Sequence, residues 1–107
     1  MQGYIILHRR FFTHWLWTEE REFSKREAFL DLLQLAAYAH SKRLIKGDVV
    51  ELRPGQLCGS ERYLAGRWKW STTRVRAFLT LLEADKMVGI ETKKRAGSVI
   101  TLTNYGK

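Results

Sequence analysis

Ser60 to Leu82, SERYLAGRWKWSTTRVRAFLTLL, holds the side chains with the most chemical reach in this chain of 107 residues. Arg62, Arg67, Lys69, Arg74 and Arg76 are basic there, and Glu61 is the one acid. Cations at this density attract polyanions, and Arg can grip a phosphate or a guanine edge with two parallel hydrogen bonds. Ser71-Thr72-Thr73-Arg74 reads as a helix start, with Ser71 as the cap and free amides that favour an anion. The stretch reads as a short helix, a tight turn and a second helix, an arrangement that sits well on nucleic acid.

Turned at 100° per residue, the Ser71–Met87 helix places Val75, Phe78, Leu79 and Leu82 on one inward stripe. Thr73, Ala77 and Thr80 then lie opposite, with Arg76 on one flank and Arg74 on the other. The start of such a helix reaches base edges, so Thr73, Arg76 and Ala77 are the expected base contacts, with Thr80 further along the same face. Thr72, Arg74 and Lys69 are the expected phosphate contacts. Trp68 and Trp70 suggest base stacking, which single-strand binders use. Trp68 falls four residues after Leu64, however, and the bulk of both rings suits core packing.

These residues need a scaffold. Tyr4 to Trp17 has partial helical spacing through Leu7, Phe11, Trp15 and Leu16, and predicts a first helix. Ser24 and Glu27 form a capping box, and the period of Ala28, Phe29, Leu32, Leu33, Ala36 and Ala37 extends the second helix to His40. Ser41 to Lys46 reads as a basic connection and Gly47-Asp48 as a turn. Pro54-Gly55 fits the centre of a type II turn, joining Val49–Leu52 and Gln56–Cys58 as a small hairpin. Ser60 caps the next helix, which ends near Trp68. Val88–Ile90 and Val99–Leu102 form a second hairpin, its tip carrying Lys93, Lys94 and Arg95. The whole is one domain, 1–107, mainly α with small antiparallel β hairpins, an α+β class.

Nineteen Lys and Arg against eleven Asp and Glu give a net charge of +8. The balance is +2 from Met1 to Gly59 and +6 from Ser60 to Lys107, so the excess coincides with the motif. Cys58 is alone, which excludes an intrachain disulfide and suits a reducing, cytoplasmic setting. No apolar run approaches the roughly 20 residues that cross a bilayer. Enzymatic chemistry is not expected. His8, His14 and His40 lack metal-ligand spacing with Cys58, Glu19-Glu20 and Glu22 read as a solvated acidic loop, and no phosphate-binding or dinucleotide fingerprint occurs. No cofactor or metal is therefore expected.

A helix–turn–helix followed directly by a hairpin is a winged helix, in which the second motif helix enters the major groove and the wing lies along the backbone or in the minor groove. Lys93, Lys94 and Arg95 are then wing contacts. Such motifs place a small residue, a turn Gly and a β-branched residue where this chain has Ala65, Lys69 and Val75. Lys69 either takes the left-handed conformation at some cost or sits in a different turn. GYIILHRRFFTHWLW, FSKREAFLDLLQLA and RPGQLCGSERYLAGRWKWSTTRVRAFLTLLEADKMV together resemble the N-terminal domain of phage replisome organisers and DnaD-like replication initiation proteins. The resemblance implies binding to duplex DNA at a replication start, a homo-oligomer, helicase-loading partners and a bacterial or phage-infected cytoplasm. The ending TLTNYGK is similar to the exit into a linker, so the chain is expected to be a fragment or a short relative. Two alternatives remain open at this point: an oligomerisation module built on the aromatic N-terminus, and a transcriptional regulator.

Overall fold

The computed structural model describes residues 7–45, 47–93 and 97–103. Among them the chain forms four α-helices, one 3-10 segment and five strands arranged as antiparallel sheets, an α+β globule. The expected first helix is broken. Arg9–Thr13 is a 3-10 segment and Trp15–Thr18 a separate short helix, α1, while residues 4–6 lie outside the described range. His14 stands between them in an extended conformation, and its Nδ1 accepts the Leu16 N–H at 3.0 Å. His8 does the same for the Arg10 N–H. These two caps cut the segment because its apolar residues point in more than one direction. The break lets Phe12 meet Phe11 and Trp17 near edge to face, with Phe12 and Trp17 centroids 4.9 Å apart, and brings Phe11 against Trp17 at a tilt. Trp17 joins the core, whereas Trp15 stays 69% exposed.

Helix α2 is Lys25–Leu35, and the capping box is present: Ser24 Oγ accepts the Glu27 N–H at 3.2 Å, and Glu27 Oε1 accepts the Ser24 N–H at 2.8 Å. It stops short of His40. Ala36 is already extended, and Ala37 donates to Gln56 O at 2.9 Å while accepting from Gly55 N–H at 2.8 Å. Ala37, a good helix former, leaves the helix because distant backbone offers it both a donor and an acceptor. The Glu27 carboxyl is held below its usual 4.5, first by the Ser24 amide and then by the Arg21 guanidinium. A carboxylate depressed in the folded state stabilises above its unfolded pKa, and that contribution is lost as pH falls through the lower folded value. Urea midpoints should therefore drop as pH falls below 4.5, and Glu27→Gln should flatten part of that slope.

The segment expected to be a connection is strand β1, Ser41–Ile45, which pairs with β2, Asp48–Leu52, across the positive-φ Gly47. Their inward face buries Val50 and Leu52 in a small cluster with Ala37 and Val99. The Pro54-Gly55 turn forms as expected, with Gln56 N–H donating to Arg53 O at 3.0 Å and Gly55 at φ 88°. The strands beside it nevertheless do not pair. Strand β3, Gln56–Gly59, runs along β5, Gly97–Leu102, which also pairs with β4, Val88–Lys93, giving the order β3-β5-β4. The turn thus passes the chain between two sheets. Leu57, opposite Ile100, enters the main core, whereas Leu52 belongs to the smaller one. The β4–β5 hairpin is the expected one, with β3 added to its far edge.

Helices α3, Glu61–Trp68, and α4, Thr72–Ala84, start on Ser60 and Ser71, whose hydroxyls accept the Tyr63 and Arg74 amides. Lys69 between them is left-handed at φ 59°, ψ 43°. That conformation costs a residue with a side chain about 1 kcal/mol. In return Trp70 N–H donates to Ala65 O, and the Trp70 ring packs edge-on to Trp68 and Phe78. Val75, Phe78, Leu79 and Leu82 are buried, as the spacing requires, beside Leu64, Ala65 and Trp68. No helix among the described residues is long and apolar enough to cross a membrane.

Candidate nucleic-acid interface

Helix α4 shows two unlike faces. Behind the buried stripe, Thr72, Thr73, Arg76, Ala77 and Thr80 are all exposed. These residues lie on consecutive turns of one rigid helix whose opposite side is locked into the core. That geometry holds them in fixed register without a loop, which a surface reading an extended ligand needs.

Three cations on or beside this face, Arg76, Arg74 and Lys69, each meet a carboxylate. Arg76 lies across Glu61 from the preceding helix, with Nε at 3.0 Å from Oε2 and Nη2 at 2.8 Å from Oε1. The hydrogen bond lowers the Glu61 pKa and raises that of Arg76, so both stay ionised across the neutral range. Arg74 stacks 4.0 Å above the Trp70 ring and donates to Glu22 Oε2 at 2.6 Å. Lys69 Nζ is 3.3 Å from Glu20 Oε2. Arg62 is exposed. Lys93 closes β4, but its side chain, with Lys94 and Arg95, lies outside the described residues.

Two features escaped the sequence reading. Glu20 and Glu22 are solvent-exposed, as an acidic loop should be, but they also reach the α3–α4 turn from far away in the chain to pair with Lys69 and Arg74. No local signal points to that. Arg67 is not a surface cation either. It donates through Nε and Nη2 to the fully buried Asp31, at 2.7 Å each, and Trp68 Nε1 donates to the same carboxylate at 2.8 Å. Here a signal existed. Ala28, Asp31, Leu32 and Leu35 follow helical spacing, so a carboxylate on the inward stripe of α2 needs a buried donor.

Trp68 and Trp70 are buried in the core and offer no ring face to a base. Among the described residues no group of three His, Cys, Asp or Glu is placed to hold a metal ion. Compared with models of known protein families, with curated proteins and with solved structures, the chain matches none.

Proposed function

We propose that this chain binds duplex DNA, with α3 and α4 as a helix–turn–helix and the β4–β5 hairpin as its wing. The carrying observation is the outward face of α4: Thr73, Arg76, Ala77 and Thr80 form an exposed row on a helix anchored through Val75, Phe78, Leu79 and Leu82. In this reading α4 enters the major groove, Thr73, Arg76 and Ala77 meet base edges, and Lys69, Thr72 and Arg74 meet phosphates. Lys93, Lys94 and Arg95 track the adjacent backbone. The net charge of +8 supplies the long-range attraction. The resemblance to phage replisome organisers and DnaD-like initiation proteins makes replication initiation the proposed setting, with self-association and helicase-loading proteins as partners.

A test needs a change on that face which leaves the fold alone. Ala77 is exposed, so Ala77→Glu should keep the circular dichroism and melting of the parent. Its carboxylate would face phosphates and base edges, and duplex affinity by fluorescence anisotropy should fall about tenfold. Equal affinity for parent and variant would remove α4 from the interface.

A second reading, a self-association module, is favoured by one observation. Leu7, Trp15 and Leu16 are large apolar residues left exposed near the N-terminus. Light scattering on the intact chain and on Trp15→Glu separates the two. A size change in the variant with unaltered DNA affinity would assign that patch to assembly.

A further inference from the structure

The loop between α1 and α2 is strapped to the α3–α4 turn. Phe23 N–H donates to Trp68 O at 3.0 Å, and Trp70 Nε1 donates to Phe23 O at 2.8 Å. Arg21 folds over the Trp17 and Phe23 rings and bonds the Trp17 and Glu19 carbonyls and the Glu27 carboxylate. Arg21 and Phe23 therefore point inward, and the alternating residues Glu20 and Glu22 project toward Lys69 and Arg74. Glu61 arrives independently, from the first turn of α3, onto Arg76. Three acids from two elements thus cover the three described cations assigned above to DNA.

We propose that Glu20, Glu22 and Glu61 are internal phosphate surrogates, which duplex DNA must displace before Lys69, Arg74 and Arg76 can engage it. The inference rests on the DNA-binding reading and assigns these acids a role in restraining attachment to arbitrary duplex. A carboxylate presents two anionic oxygens to a guanidinium fork much as a phosphate does. The Glu20 and Glu22 pairs are exposed, at 84% and 63% side-chain exposure, so each is weak and readily exchanged, whereas the bidentate Glu61–Arg76 pair, with Glu61 at 35%, is the firmest of the three. Together they set a threshold. A loosely docked duplex that engages one or two cations gains little over the pairs it breaks, whereas a well-aligned duplex engages all of them. The same pairs hold the Arg side chains in fixed positions before the ligand arrives, which reduces the ordering lost on binding.

The test uses Glu20→Gln, Glu22→Gln and Glu61→Gln, combined in the full chain, against a random-sequence duplex of about 20 base pairs at low salt. Removing any acid raises net charge and hence affinity. A charge-matched control therefore carries Asp48→Asn, Glu51→Gln and Glu83→Gln, on the β1–β2 hairpin and far along α4. The surrogate triple variant should bind the random duplex about ten- to fifty-fold more tightly than the parent, and at least several-fold more tightly than the control. In the parent, adding duplex should move the Arg76 Nε–H resonance toward its position in the Glu61→Gln variant. Equal gains in the two triple variants would overturn the inference while leaving DNA binding intact. Failure of the parent and of every variant to bind would overturn both.

Discussion

Asp31→Ala should cost about 3–5 kcal/mol of folding free energy, because it strips a buried charge cluster of its only acid. Asp31 has no solvent exposure, and its two oxygens accept four hydrogen bonds, from Arg67 twice, from Trp68 and from Gln34. The carboxylate joins α2 to α3 immediately before the turn that aims α4. Ala would leave the indole N–H without an acceptor and the partly buried Arg67 guanidinium without its counter-charge. Domains of this kind are stable by roughly 5–15 kcal/mol, so the loss consumes much of the total. Arg67 is held above its ordinary pKa by this pair and remains charged at any workable pH, so it cannot shed the problem by deprotonation. Asp31→Asn keeps the volume but turns two donors toward a donor-filled site, and should cost about 2–3 kcal/mol. Urea denaturation followed by tryptophan fluorescence reads both. A change in Asp31→Ala below about 1 kcal/mol would mean that the cluster adds nothing over its desolvation cost.

Duplex affinity should fall about 10²–10³-fold when salt rises fourfold, from roughly 50 to 200 mM. Six cations are assigned to the interface: Lys69, Arg74, Arg76, Lys93, Lys94 and Arg95. About five neutralised phosphates give a log–log slope near −4.5 at −0.9 per phosphate. Alanine at Lys93, Lys94 and Arg95 should flatten that slope by about 2–3 and weaken all sequences alike, since phosphate carries no sequence information. Anisotropy titrations at four salt concentrations suffice. A flat response would exclude an interface built on these cations and turn attention to the apolar surface around Trp15.

What could be read in the chain was local. The Ser60 and Ser71 caps, the stripe from Val75 to Leu82 and the Pro54-Gly55 turn each write their structure into a few adjacent residues. The outward row on α4 follows directly, because an inward stripe fixes the opposite face. What could not be read was decided across the fold. Ala37 carries helical propensity, yet backbone at Gly55 and Gln56 claims it, and Ala36 before it is already extended. β3 prefers the edge of β5 to that of its chain neighbour β2, a choice set by which core accepts Leu57. The first helix failed for a subtler reason: His8 and His14 bond amides two residues on, competing with the helix they were expected to join. Glu22 reaches Arg74 across 52 residues, and only the strap through Phe23 brings them together.

Among the described residues the β1–β2 ribbon shares no ladder with the β3-β5-β4 sheet, and it packs through Val50 and Leu52 into a small cluster with Ala37 and with Val99 of β5. Its cooperative unit is therefore smaller than that of the helical body. Amides there can exchange through a partial melting that leaves α3, α4 and the Asp31 cluster whole. Leu44 and Val49, paired across the ribbon and facing solvent, are free to vary without reaching the frame that aims α4. The molecule thus carries, beside its helical body, a ribbon whose surface can change at its own evolutionary rate.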